Sequence, residues 1–215
     1  MLTSLELMTD EVQVWVASLA VSEDRYAQLA ASIPKEETDR AATLHPVAAR
    51  RYVIARGILR KLLSGFTGTE AKKLRFRYSP SGKPSLFNRD DIHFNISHSA
   101  DLALFAFSPD RPVGVDVENE RPVRRLLDVA QRFMTEEELR TLAETPADKR
   151  NSEFLRSWVV REARLKAEGK GVWAGVSGTP SNHISHRLFT PKPSYIAAVA
   201  APDSDWRLYT CTMKD

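Results

Sequence analysis

One order of elements, a strand, a long helix and then two strands, occurs twice in this chain at a spacing of about 100 residues, and it restricts the fold more than any single motif. The first run begins at VQVWVASL (12–19), where Val12, Val14, Val16 and Ser18 alternate with Gln13, Trp15 and Ala17 as in a strand. PVAARRYVIARGILRKLLSGF follows, with Tyr52, Ala55, Leu59, Leu62 and Leu63 at helical spacing, Pro46 near its start and Gly65 just past its predicted end. KLRFRY alternates as a strand, SPSGKPS reads as a turn, and IHFNIS and LALFAFS read as strands across the polar link HSAD. In the second run GVDVE is the strand and FLRSWVVREARLKAEGKG the helix, closing in glycines. SYIAAVAA and WRLYTCT are then two strands across PDSD.

On this alignment Val14 corresponds to Asp116, Arg56 to Arg161 and HSAD to PDSD. PVRRLLDVAQRFMTEEELRTLAET, inserted in the second run, predicts two helical stretches, the later one opened by Thr135 and Glu138 as a capping box. The expected fold is α+β, a pseudo-dimer of two similar halves, each an antiparallel sheet packed on a long helix, with the boundary between residues 110 and 111.

With 215 residues, 42% of them hydrophobic and 27% charged, the chain can bury a core, which excludes global disorder. A net charge of +3 suits an anionic ligand but is too small to coat nucleic acid. Cys211 is the single cysteine, so no internal disulfide forms. Glu6, Asp10 and Glu11 stand where a signal peptide needs basic residues, and no run approaches the ~18 apolar residues of a membrane span. The expectation is a reducing, cytoplasmic compartment, with neither membrane nor nucleic acid as partner.

Asp116 and Glu118 are two apart in a strand, so they share a face while Val115 and Val117 point to the other. Adjacent carboxylates repel, and one takes up a proton unless a cation sits between them; a hard divalent ion is the natural occupant, and a solvated outer strand face is the alternative. Glu162 and Lys166 share a helix face, with Trp158 a turn earlier and Lys170 a turn later. They read either as an exposed ion pair beside a core tryptophan or, if the helix crosses GVDVE, as a third oxygen ligand for Mg²⁺ and a lysine for a pyrophosphate. SPSGKPS offers Gly82 and Lys83, FNISHSAD sets His98 between Ser97 and Ser99, and Arg51, Arg56 and Arg60 decorate the first helix. Each has a structural reading as well: a common turn, a hydrogen-bonding histidine, a solvated helix face.

In this order, SGKP, FNISHS, GVDVE and W-x-x-R-E-A-x-x-K resemble the phosphopantetheinyl transferases of the surfactin-synthetase-activating type, over residues 48–171. Arg161 stands where that family usually has lysine, and IPKEETDRAA, with Lys35 and Arg40 among acids, does not match the basic residues some members carry there. The resemblance implies coenzyme A as co-substrate in a cleft between the halves. Asp116, Glu118 and Glu162 would hold Mg²⁺ against its pyrophosphate and Lys166 would contact that pyrophosphate. Gly82, Lys83 and Pro84 would line the adenine end, and Arg51 and His98, with Ser97 beside them, would meet the phosphates.

The implied reaction moves the phosphopantetheine arm to a serine of an apo acyl or peptidyl carrier protein. Asp116, Glu162 and Lys166 would be its catalytic residues, with Glu162 as base, directly or through a metal-bound water, and the carboxylates exposed in the site. Arg124, Arg125 and Arg132, beside Leu126, Leu127, Phe133 and Met134, form the best stretch for docking an acidic carrier, and a monomer suffices. A Mg²⁺-dependent nucleotide hydrolase would use the same carboxylates but lacks a Walker-type glycine loop, and a nucleic-acid module would want a stronger basic surface.

Overall fold

A computed structural model describes residues 5–170, 181 and 183–213. In chain order the elements are β1 (Glu11–Ser18), α1 (Glu23–Ala30), α2 (Lys35–Ala42), α3 (Pro46–Thr67), β2 (Phe76–Tyr78), β3 (Pro84–Leu86), β4 (His93–Ser99), β5 (Leu102–Ser108) and β6 (Gly114–Asn119). There follow α4 (Leu126–Ala130), α5 (Glu136–Glu144), α6 (Ala147–Ala167), β7 (Ile184–Phe189), β8 (Tyr195–Pro202) and β9 (Arg207–Thr212). The fold is α+β, with a four-stranded sheet β4-β5-β1-β9, a three-stranded sheet β6-β8-β7 and a small β2-β3 hairpin.

The period of two along each strand decides how the layers stack. On β5, Ala103, Phe105 and Phe107 face α3 and its neighbour α1, while Leu102, Leu104 and Ala106 face away. That second set meets Val113, Val115, Val117, Ala197, Val199 and Ala201 of the other sheet, so the two sheets share an inter-sheet core. On the far side Ile196, Ala198 and Ala200 of β8 pack under α6, through Leu155, Val159 and Ala163. Strands buried on both faces read as continuous apolar runs, as LALFAFS and YIAAVAA do. Phe105 and Phe107 are fully buried, each contributing about 2–3 kcal/mol from the apolar area removed from water.

The two larger sheets share one pairing order. β1 pairs antiparallel with β5 and β5 with β4; β6 pairs antiparallel with β8 and β8 with β7. Two expected correspondences are corrected. SYIAAVAA and WRLYTCT do not pair across PDSD, because both sides of β8 are already occupied by β6 and β7; β9 crosses to the free edge of β1 and pairs with it in parallel. The four-stranded sheet is therefore mixed rather than antiparallel. The counterpart of HSAD is the connection between Phe189 and Tyr195.

Val14 lies in the inter-sheet core, whereas Asp116 pairs with Ala198, a residue of the core under α6. The alignment is out by one residue, and a one-residue slip turns every side chain to the opposite face. Trp15, packed toward α3, is the residue on the matching face.

Helix limits also shift. Gly65 is inside α3, where Leu5 packs on it and donates its backbone N–H to Gly65 O at 3.1 Å; Gly68, at φ +69°, closes the helix. α6 starts at Ala147, seven residues before the predicted stretch, and turns at Gly169, at φ +71°; Gly171 lies outside the described residues. The capping box at Thr135 and Glu138 is present. α1 and α2 have no counterpart in the sequence reading, since each is a single eight-residue polar helix with two or fewer buried side chains.

At Gly57 α3 touches α1 so closely that an added Cβ would lie 2.8 Å from Leu29 O. Gly57→Ala should therefore force the helices apart and cost about 1–3 kcal/mol, read as a fall of several degrees in the melting temperature.

Candidate active site

β4 and β6 are the outer strands of their sheets and meet edge to edge. Side chains join them: Asn95 Oδ1 accepts from Val115 N at 2.9 Å, Ser97 Oγ donates to Asp116 Oδ1 at 2.8 Å, and Ser99 Oγ donates to Glu118 Oε2 at 2.8 Å. Ser99 Oγ also accepts from Asn119 N at 3.1 Å. The alternation of Asn95, Ser97 and Ser99 puts all three on one face, which is why FNISHS carries short polar residues at every second place.

Gly114, Asp116 and Glu118 share the face of β6 turned to α6. A Cβ on Gly114 would stand 2.0 Å from Ala163 O and 2.4 Å from Ala167 N, so only glycine lets the strand lie against the helix backbone there. That approach brings Lys166 onto Asp116: its Nζ is 2.6 Å from Asp116 Oδ1 and 3.3 Å from both Ser97 Oγ and Val115 O.

A cleft of about 790 Å³ opens above this cluster. Asp116, Glu118, Glu162 and Lys166 line it together with Ser97, His98, Arg51 and Trp158, so seven residues expected from the sequence to bind ligand or metal share one cavity. Arg51 also reaches Asp101 Oδ1 at 2.8 Å. Gly82, Lys83 and Pro84 do not line it. Lys83 Nζ instead donates to two backbone carbonyls, Val113 O at 3.0 Å and Lys166 O at 2.5 Å. Lys170 follows the helix rather than continuing its stripe and pairs with Glu168 at 2.7 Å.

The site carboxylates are not exposed: Asp116 retains 5% and Glu162 4% of its accessible surface. Burial and then the Asp116 charge push the Glu162 carboxyl up to about 7, against the pull of Lys166. Glu118 is also raised, first by burial, with the Ser99 hydroxyl opposing and Asp116 adding to it. Asp116 Oδ2 is buried and has no hydrogen-bond partner among the described residues. Such an orphaned anionic oxygen calls for a cation or a donor from outside the chain.

The three carboxylates share the cleft, yet among the described residues no three His, Cys, Asp or Glu side chains stand close enough to hold a metal ion as they are. The Lys166 ammonium stands against Asp116 and offsets part of the repulsion among them.

Arg56 and Arg60 are not a solvated helix face. Both are buried, both donate to Glu37 of α2, and both stack on Phe76; Arg56 forms part of the cleft wall. Glu37 carried no signal in the sequence, sitting among exposed acids of a short polar helix. Asn95 and Gly114 were equally unmarked, although the i, i+2, i+4 polar alternation of FNISHS, which also holds Ser97 and Ser99, and the glycine heading GVDVE are the signals that find them. Arg124, Arg125 and Arg132 are exposed, while Met134 is buried and Leu126 and Phe133 pack into the core under α6. Leu127 is the exposed apolar member, at 38%.

Comparison with known proteins fits this geometry. The model of the 4'-phosphopantetheinyl transferase superfamily matches residues 112–210, and that of the 4'-phosphopantetheinyl transferase N-terminal region matches residues 18–110. The 4'-phosphopantetheinyl transferase HetI of Nostoc sp. PCC 7120 is 38% identical over 173 residues, covering 79% of this chain and 73% of that protein. The chain belongs to the 4'-phosphopantetheinyl transferases. Psf-1 of Bacillus pumilus is 27% identical over 173 residues, 78% of this chain and 73% of its own length, and Sfp of Bacillus subtilis 31% over 128 residues, 60% and 56%. As a 4'-phosphopantetheinyl transferase the chain moves a phosphopantetheine group onto carrier proteins, with coenzyme A as the donor in this family. No helix among the described residues is long and apolar enough to cross a membrane.

In the ligand-free protein the raised Glu162 binds its proton more tightly folded than unfolded. Its contribution to stability is therefore greatest below the ordinary value of 4.5 and is lost as pH rises toward about 7. Glu162→Gln should raise the melting temperature at pH 8 by about 2–4 °C and change it less at pH 5, as calorimetry at the two pH values would show.

Proposed function

We propose that the cleft holds coenzyme A with its diphosphate against Asp116, Glu118, Glu162 and Lys166, and that these residues transfer the phosphopantetheine arm to a serine of an apo acyl or peptidyl carrier protein. The observation that carries this reading is the buried, partnerless Asp116 Oδ2, in a cleft whose walls add two more carboxylates and one lysine. That donor set fits Mg²⁺, which takes oxygen ligands and leaves sites for phosphate. A bound Mg²⁺ would offset the repulsion among the carboxylates and the charge on the diphosphate and the leaving phosphate.

The chain's own residues supply the rest. The serine oxygen bonds to the phosphorus that carries the pantetheine arm, the bond to the bridging oxygen breaks, and that oxygen leaves with adenosine bisphosphate. Glu162, in the wall of the same cleft, takes the serine proton. Lys166, steered by Asp116 and Ser97, faces the oxygen on which charge develops. Arg51 and His98 line the same cleft and suit the ribose phosphate, with Ser97 beside them. Gly82, Lys83 and Pro84 belong to the adenine end in this reading, through the backbone of their turn.

The division into halves at residues 110 and 111 is supported by the shared pairing order of the two sheets and by the meeting of the two family matches at 110 and 112. Strand β9 is the segment that crosses it. In this reading a monomer suffices, and it acts in the cytoplasm. Arg124, Arg125 and Arg132 with Leu127 offer an acidic carrier helix its contacts, and salt should weaken that encounter.

The test is incubation with coenzyme A, Mg²⁺ and a panel of apo carrier proteins, read by mass spectrometry as the gain of one phosphopantetheine arm. Asp116→Ala should lower the rate at least ~100-fold while the chain stays folded, and normal turnover would remove Asp116 from the site. Lys166→Ala should be similarly slow. Lys166→Arg should recover part of the rate, since it restores the charge; an arginine variant as slow as alanine would rule out a role through charge alone.

A further inference from the structure

Lys83 closes the turn between β2 and β3, outside the cleft, with its ammonium directed into the protein. Of the two carbonyls it reaches, Lys166 O lies in the last turn of α6, where carbonyls lack the usual partner one turn further on. Lys166 O otherwise accepts, among the described residues, from the backbone N–H groups of Glu168 and Gly169, the latter at 3.2 Å. A cation is favoured at that end of a helix by the dipole as well as by the hydrogen bond. The other carbonyl, Val113 O, precedes Gly114, the residue pressed on the α6 backbone. In the same turn Ser81 Oγ donates to Gly169 O at 2.7 Å. One turn of the first half thus grips both elements that converge at the Lys166–Asp116 contact.

We propose that Lys83 is a positioning residue for the transfer reaction: its ammonium clamps the C-terminal turn of α6 to the entry of β6 and so holds the Lys166 side chain against Asp116. The clamp acts on the backbone of Lys166 itself, with no intervening residue. Burial and the charge of Lys166 push the Lys83 ammonium down to about 8, so the two carbonyl oxygens hold a charge that its surroundings disfavour. A residue spent in this way has no donor aimed at the cleft, and the turn's contribution to the nucleotide is left to its backbone.

The inference rests on the site reading of Asp116 and Lys166, and the experiment separates the two. Steady-state transfer is measured with coenzyme A, Mg²⁺ and a carrier protein that the wild-type chain modifies. Lys83→Met, which keeps the length and removes the charge, should lower kcat by about 10- to 100-fold while KM for coenzyme A stays within about threefold, the signature of a displaced catalytic group rather than a lost ligand contact. Lys83→Arg, which can still reach carbonyls, should restore kcat to within about threefold of wild type.

A Lys83→Met enzyme with unchanged kcat, or with a raised KM and normal kcat, overturns the clamp. Should Lys83→Met fail to fold, Lys83→Arg decides: raised KM at full kcat again overturns it, and recovered kcat at unchanged KM supports it. Asp116→Ala runs alongside. Full activity there defeats the site reading, whereas an inactive Asp116→Ala beside a fully active Lys83→Met defeats the clamp alone.

Discussion

Along β4 and β6 two sheet edges face each other and are joined by side chains instead of a backbone ladder. An edge strand presents unpaired N–H and C=O groups, and here Asn95 and Ser99 each cap one N–H of β6 while Ser97 and Ser99 hold the carboxylates that β6 carries. Because serine and asparagine side chains are short, each bond fixes its partner within a narrow range. The same bonds therefore join the halves and orient Asp116 and Glu118. Replacing this seam with a continuous ladder would remove the bonds that orient the two carboxylates.

The second constraint is the contact of β6 with α6 at Gly114. It brings one more carboxylate and one lysine to the pair already on β6, in a space that water reaches poorly. Four charged groups close together, with one carboxylate oxygen left without a partner, do not make a stable core. They make a site whose electrostatics are incomplete, with like charges only partly compensated. The raised Glu118 and Glu162 express that incompleteness, and the same imbalance suits Glu162 to take a proton.

Much of this was legible before any fold. α3 and α6 announce themselves by apolar spacing, LALFAFS is β5 to the residue, and the Thr135–Glu138 box opens α5 where expected. Asp116, Glu118, Glu162, Lys166, Ser97, His98 and Arg51 were named from strand and helix spacing together with motif order, and they line one cleft. The failures have local reasons. WRLYTCT looks like the partner of SYIAAVAA because it is next in the chain, but neighbourhood in sequence does not say which strand edge is free. Val14 was matched to Asp116 because alternation gives a period but not a phase across a gap of some hundred residues. Arg56 and Arg60 looked solvated because Glu37 sits on a short polar helix that no periodicity marks.

By itself the sequence determined the types and faces of the long elements, since periods of 2 and 3.6 are properties of the backbone that side-chain order alone reveals, and the order of its motifs singled out the carboxylates and the lysine that line the cleft. Tertiary structure decided everything that depends on what lies opposite: the crossing of β9, the seam at Asn95, Ser97 and Ser99, the closeness that only Gly114 permits, and the turning of Lys83 away from the cleft onto α6. Those are distances between residues far apart in the chain, and burial and charge, unlike periodicity, take their values only once such distances exist.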